Sequence, residues 1–353
     1  MSPDHNPKPI NLLRYHRPKI SLSDVKQIPP LSQLSKQCLR NLVSYRLPKP
    51  KFAFPRSRCA AVLIALFVGR HGDLYVLLSR RSATLRSYAG DTSLPGGKVD
   101  LGDRTFEDTA RREAFEEIGL PRDRAKVPLL CVLEPFLASD QLLVTPVVVL
   151  ILDNTLRPIL NKAEVASLFS HPLHSFLSSK SPFPHEPESL ELSSPHASDP
   201  EGYHTSFDIE WTGSGVNEGY AQRYVRIHSF LTGREAGGTK PVFGLTAWML
   251  IHAAAIGYNQ RPSFELNPPS GAPSTEARIA YAMLTGAALQ ESCRLEGIKV
   301  DRAFLWSIVE KNRVKRRADQ KENRGRSTSS IREGFLRHGL MKEGHPPRSK
   351  SKL

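Results

Sequence analysis

One stretch of this 353-residue chain has the residue types and spacing to do chemistry: Leu94 to Leu120, LPGGKVDLGDRTFEDTARREAFEEIGL. It closes on Arg112-Glu113-Ala114-Phe115-Glu116-Glu117-Ile118-Gly119-Leu120. Residues three and four apart share a face of a helix, so Glu113, Glu116 and Glu117 crowd together. Like charges at that spacing repel unless a cation lies between them. Hard divalent ions such as magnesium or manganese take oxygen ligands and bridge them to phosphate. The pattern predicts a metal-dependent site for chemistry at phosphorus. Gly96 and Gly97 reach backbone conformations closed to other residues, so the Gly97 carbonyl could turn inward as a further ligand. A solvated acidic face is the plainer reading of the glutamates alone. The Gly-Gly entry, the Arg-Glu pair and the closing Gly-Leu weigh against it.

The elements that must position these residues carry their own signals. Asp103 or Arg104 is expected to open the helix, and Thr105 with Asp108 has capping-box spacing. Phe106, Ala110 and Ala114 form an apolar stripe for packing on a sheet, and Gly119 is a left-handed stop. Upstream, Arg58 to Phe67 suits a buried strand, Gly69 to Asp73 is turn chemistry, and Leu74 to Ser79 returns as the second strand of a hairpin. Arg80 to Gly90 reads as a loop. Leu129–Glu134, Leu142–Leu152, Tyr203–Trp211 and Tyr220–Leu231 read as strands. Helical patterns run over Leu31–Tyr45, over Trp248–Tyr258 with Thr246 as a cap, over the Ala-rich Ser274–Leu295, and over Arg302–Lys315. Residues 167–200 hold 10 Ser and 6 Pro in 34 positions and are expected to form a surface insertion with no regular element. Strands interleaved with flanking helices fit an α/β/α layered domain.

The formal net charge of +14 invites a nucleic-acid reading, but its distribution opposes one. Residues 1–58 carry 12 basic and 2 acidic side chains, and residues 311–353 carry 14 and 4; this leaves 23 basic and 29 acidic side chains between them. The core is mildly acidic and the ends are basic, without aromatic interleaving or a helix-turn-helix pattern, so solvated tails are expected and nucleic acid is not. Cys38, Cys59, Cys131 and Cys293 are widely spaced, which argues against a zinc site or a disulfide framework and fits a reducing or neutral intracellular compartment. No apolar run reaches transmembrane length. The sequence closes on Ser351-Lys352-Leu353, which at a C-terminus is a peroxisomal import address read by the import receptor.

The segment resembles the Nudix box, G-x5-E-x7-R-E-U-x-E-E-x-G-U with U apolar. The tail R-E-A-F-E-E-I-G-L matches fully. Asp103 stands where the box has Glu, and eight residues rather than seven separate it from Arg112. Both departures resemble the coenzyme A diphosphohydrolase branch, GG-x-x-D-x-x-D followed by T-A-x-R-E-A-x-E-E-x-G-L, with Asp100, Asp103, Thr109 and Ala110 in place. An upstream signature of that branch is matched by Leu77-Leu78-Ser79-Arg80-Arg81-Ser82, Arg86, Gly90, Leu94, Pro95, Gly96 and Gly97. Weaker similarity runs through Val144-Thr145-Pro146 and Glu164–Phe169 to Phe243–Ala247.

The resemblance implies an α/β fold, an α/β/α sandwich with a mixed sheet; composition and periodicity add extra helices and disordered termini. It implies a Nudix hydrolase domain over residues 57–260, interrupted at about 167–200. Around it lie a disordered segment (1–30), a helical extension (31–56), C-terminal helices (261–315) and a basic flexible tail (316–353). The implied activity is hydrolysis of the diphosphate of coenzyme A or acyl-coenzyme A to 3′,5′-ADP and (acyl-)4′-phosphopantetheine with Mg2+ or Mn2+. Glu113, Glu117, Glu116 and the Gly97 carbonyl are the expected metal ligands, and Arg112 orients the glutamates. Arg86, Arg80, Arg81 and Gly96 are expected at the substrate, with Arg86 favoured for the 3′-phosphate. The general base is left open between a box glutamate and Glu164. Another diphosphate substrate, such as NADH, ADP-ribose or capped RNA, and a catalytically inert binding module remain alternatives.

Overall fold

A computed structural model describes residues 12, 30–138, 141–153, 155–183, 202–210, 224–235, 239–269 and 272–311. The spine is β1 (Cys59–Val68), a strand buried on both faces. Cys59, Ala61, Leu63 and Ala65 face one core, and Ala60, Ile64, Leu66 and Val68 face the other. A period of two with apolar residues on both sides is what a central strand needs.

Two antiparallel partners share one edge of β1. Its C-terminal end pairs with β2 (Leu74–Arg81), through Leu66↔Val76 to Val68↔Leu74. Its N-terminal end pairs with β4 (Gly96–Lys98), through Ala60↔Lys98 to Val62↔Gly96. β3 (Thr92–Ser93) fills in along β2. The stretch expected as a loop after Ser79 is therefore partly sheet, because the strand diverging from β1 leaves backbone groups that must be paired. On the other edge, β7 (Leu143–Leu150) runs parallel to β1 from Cys59↔Leu143 to Leu66↔Leu150. The sheet is mixed, as expected.

β7 contains Pro146, which cannot donate to a ladder. β5 (Leu129–Val132) pairs with β7 as far as Val132↔Val147, and β6 (Phe136–Leu137) resumes at Phe136↔Val144. The missing N–H falls in the break between them, while the Pro146 carbonyl accepts from Leu133 N–H at 2.9 Å.

The other edge of β2 takes β8 (Val165–Pro172), register Tyr75↔Pro172 to Arg81↔Val165. This corrects the expectation that the Ser/Pro-rich stretch holds no regular element. Pairing with an exposed edge overrides local composition, and Pro172 enters only at the strand end. A short 3-10 turn, Leu173–Leu177, follows, and residues 184–201 lie outside the described residues. A second antiparallel sheet combines β9 (His204–Glu210), β10 (Tyr224–Phe230) and β11 (Val242–Phe243) in the order β11-β10-β9.

Helices cover both faces of the main sheet. α1 (Gln33–Ser44) and α3 (Gly244–Tyr258) pack on one face, with Cys38, Leu39, Leu42, Leu250 and Ala254 in its core. α2 (Phe106–Ile118), α4 (Thr275–Thr285), α5 (Ala287–Leu295) and helical residues 302–311 pack on the other. α3 starts four residues before Trp248, directly out of β11, so Thr246 is helical rather than a cap. The expected single helix over 274–295 is two, broken at Gly286, where a side chain would overlap Gln141. The segments 1–30, beyond Leu12 and Pro30, and 316–353 lie outside the described residues.

Candidate active site

α2 is aimed by its ends and its apolar stripe. Thr105 Oγ1 accepts Asp108 N–H at 3.1 Å, and the Asp108 carboxylate accepts Arg104 N–H at 3.3 Å. The helix therefore begins at Phe106, with Thr105 as its cap, two or three residues later than the expected Asp103 or Arg104. Gly119 closes it at φ 68°. Phe106, Ala110, Ala114 and Ile118 are buried in the sheet-facing core, which leaves the carboxylates of the next face beside β4. On the back of the helix, Arg111 donates to Glu107 at 2.7 Å and to Val127 O at 2.6 Å, and Arg124 reaches Glu107 at 2.9 Å. This buried ion pair was visible as i,i+4 spacing, and it fastens α2 to the approach to β5.

Arg112 is the hub. Its Nε and Nη2 donate to both oxygens of Asp103, at 3.2 and 3.0 Å. Its Nη1 reaches Glu113 at 2.8 Å and Glu116 at 3.2 Å, and its Nη2 also reaches Lys98 O at 2.9 Å. Asp103 accepts in addition from Asp100 N–H and Thr109 Oγ1, both at 2.9 Å. The role of Asp103 as anchor of Arg112 is not apparent from the sequence alone; its place in the box was the available signal.

Glu117 is only 6% exposed, and the Gly96 N–H hydrogen-bonds to its carboxylate. A Cβ at Gly97 would overlap the carboxylate of Glu113, so any larger residue there displaces that carboxylate from its place beside β4. Asn161 N–H donates to Glu117 O at 2.9 Å and Ile159 N–H to Ile118 O at 3.0 Å, leading the chain to Glu164, whose charge is felt by both Glu113 and Glu117.

The electrostatics divide the acids. Burial, then the charge of Glu113, pushes Glu117 up to about 8, against the opposing pull of Arg81 and the Gly96 N–H. Burial also raises Glu113, with Glu116 and Glu164 adding to it and Arg112 opposing. Burial acts the same way on Asp103, but the bonds from Arg112, Asp100 and Thr109 outweigh it and hold its carboxyl below the usual range. Asp103 is thus an ionised anchor, whereas Glu113 and Glu117 are disfavoured as anions.

Among the described residues, no three His, Cys, Asp or Glu side chains already stand together as a metal cage. Arg112 draws Glu113 and Glu116 to itself, while Glu117 lies under Gly96. The donor set nevertheless fits a hard divalent ion. It consists of carboxylate oxygens whose mutual repulsion and burial a cation would relieve.

The other expected residues are dispersed. Arg81 ends β2 beside Glu117, and its buried Nε makes no hydrogen bond. Arg80 sits in β2 between Thr92 of β3 and Ser167 of β8. Arg86 stands exposed on the loop between β2 and β3. That loop is held by Lys240, which donates to Ala89 O at 3.0 Å and Asp91 Oδ1 at 2.6 Å. Ser351, Lys352 and Leu353 lie outside the described residues.

A NUDIX domain model matches residues 57–191. The chain is 35% identical over 242 residues to Nudix hydrolase 22, chloroplastic, of Arabidopsis thaliana, covering 67% of this chain and 69% of that protein. It is 37% identical over 206 residues to Nudix hydrolase 15, mitochondrial, of the same plant, covering 58% and 60%. It is 53% identical over 93 residues to peroxisomal coenzyme A diphosphatase 1 of Saccharomyces cerevisiae, covering 25% of this chain but only 27% of that protein.

Proposed function

The chain belongs to the Nudix hydrolases, and from that premise we propose that it cleaves the diphosphate of coenzyme A or an acyl-coenzyme A. The products are 3′,5′-ADP and 4′-phosphopantetheine or its acyl form. The observation that carries the reading is the packing of Glu113 and Glu117 against Gly96-Gly97 with Glu164 close by. Acids placed where ionisation is costly suit a cation that grips a diphosphate. Support for this substrate comes from the match to the yeast diphosphatase and from the arginines flanking the loop.

Glu113, Glu116, Glu117 and the Gly97 carbonyl would hold Mg2+ or Mn2+. When bound, such an ion neutralises charge on the diphosphate oxygens and acidifies the attacking water. The rest falls to this chain. Arg112, pinned by Asp103, orients Glu113 and Glu116 through charge-assisted bonds. Arg81 stands beside Glu117, and its guanidinium would suit a phosphate oxygen. Glu164 and the box glutamates are the available proton acceptors for water. Arg86, on its tethered loop, reads the 3′-phosphate.

Incubation of the purified protein with coenzyme A, acyl-coenzyme A, NADH and ADP-ribose, with and without divalent ions, tests the reading. Coenzyme A thioesters or free coenzyme A should turn over fastest, to the two products named. Preference for NADH or ADP-ribose would transfer the site to another diphosphate, and no metal-dependent turnover at all would favour an inert module. Arg86→Ala should raise KM for coenzyme A about tenfold, the value of a lost charged contact, and leave dephospho-coenzyme A nearly unchanged. Equal effects would remove the 3′-phosphate role. Peroxisomal residence belongs to the same proposal, supported by the yeast relative's name and by Ser351-Lys352-Leu353. Imaging an N-terminally tagged chain with and without that tripeptide tests it.

A further inference from the structure

Arg56 opens the 3-10 turn Arg56–Arg58 just before β1, well outside the box. The two N–H groups of its Nη2 are shared among three backbone carbonyls of one turn: Asp100 O, Leu101 O at 3.2 Å and Asp103 O at 2.6 Å. Its Nη1 is buried and makes no hydrogen bond, so the hold rests on one nitrogen. The turn is closed internally by Asp103 N–H to Asp100 O at 3.1 Å. At its end stands Asp103, the anchor of Arg112, and Arg112 is what reaches Glu113 and Glu116.

The backbone of Arg56 is itself held from the opposite side. The carboxylate of Glu296, the residue after α5, accepts Arg56 N–H at 2.6 Å and Ser57 N–H at 2.8 Å. Arg58 Nε donates to Ser292 Oγ of α5 at 3.1 Å, and Lys51 pairs with Glu276 of α4 at 2.9 Å. The C-terminal helices therefore grip the segment that presents Arg56, and Arg56 grips the turn that aims Arg112.

We infer that Arg56 is a positioning residue for the carboxylate site and that Glu296, from beyond the matched NUDIX segment, holds it in place. The inference rests on the metal-dependent reading given above. The mechanism is local. Three carbonyls gathered on one cation fix the turn Asp100–Asp103, and through Asp103 they fix the direction of the Arg112 fork. Without that cation the carbonyls turn to water, Asp103 shifts, and Arg112 no longer orients two glutamates at once. Such a change weakens ion binding while the sheet and α2, held by their own cores, stay folded.

The test uses the full chain as Arg56→Ala, Arg56→Lys, Glu296→Ala and Arg58→Ala. Arg58→Ala removes a tie to the same helix without touching the turn. Two quantities are read without substrate: Mn2+ affinity by calorimetry, and amide hydrogen exchange across residues 98–104. Arg56→Ala should weaken Mn2+ binding about tenfold, equivalent to about 1.4 kcal/mol, and speed exchange in the turn. Glu296→Ala should do so less, Arg56→Lys should recover part of both, and Arg58→Ala should leave both at wild-type values. Unchanged exchange in Arg56→Ala, or equal losses in Arg56→Ala and Arg58→Ala, would overturn the inference. If the wild-type chain binds no Mn2+, the metal reading fails by itself, and the exchange data still decide whether Arg56 orders the turn.

Discussion

Glu117 concentrates the chemistry of this site in one proton. Burial pushes its carboxyl up to about 8, against 4.5 as the ordinary value. A group whose folded pKa is raised stabilises the fold fully below its unfolded value, and that contribution is lost as pH rises through the folded value. Between about pH 5 and 8 wild-type protein in chelator should therefore lose stability that Glu117→Gln keeps, at about 1.4 kcal/mol for each step of one in pH. Melting curves should show the variant several degrees more stable at pH 8, converging with wild type below pH 5. Parallel curves would mean that Glu117 is not held as described. His171 and His204, pushed down by burial to about 3 and about 4, act in the opposite sense as pH falls. They are common to both proteins and cancel in the difference. The same substitution should lower turnover by orders of magnitude with the fold intact.

At the scale of elements, the two glycines of β4 make separable demands. A Cβ at Gly96 would strike the Ala61 carbonyl and Val62 Cα, which are backbone atoms of β1, whereas one at Gly97 would strike only the mobile carboxylate end of Glu113. Gly96→Ala should cost about 1–3 kcal/mol of stability, the range of other overpacked sites. Gly97→Ala should melt close to wild type yet lose at least tenfold in turnover; denaturant titration beside initial rates distinguishes them. Much of this was legible beforehand. The stripe Phe106-Ala110-Ala114, the Thr105 cap and the Gly119 stop each declare α2 locally, and the apolar run of β1 declares a central strand. What escaped was decided at a distance. β8 forms in a Ser-rich stretch because β2 offers it an edge. Helix 274–295 divides at Gly286, where Gln141 fills the space a side chain would need and accepts Leu289 N–H of the second helix at 3.3 Å. Asp103 becomes an anchor only when Arg112, nine positions on, folds back over it.

For the whole molecule, all four thiols lie in the cores. Cys38 and Cys59 are raised to about 12 by burial, and Cys131 and Cys293 are raised by the same cause. A thiol reacts as its thiolate, so an aromatic disulfide reagent should titrate none of them in the native protein and four after unfolding. Fast release of one equivalent would show that a core opens locally. Cys38 also reports on α1, since Gly257 of α3 leaves no room for a side chain beside its sulfur, and Asn41 donates to Gly257 O at 2.8 Å.

The long parallel pairing of Cys59–Leu66 with Leu143–Leu150 has a consequence in time. About eighty residues must emerge between one partner and the other, and closing so large a loop is slow and entropically costly. Until the later strand joins, the spine has only β2 and β4 beside it and its other edge is unpaired. Helix α2, which packs on both strands, has its full sheet to lie on only once the far strand has arrived.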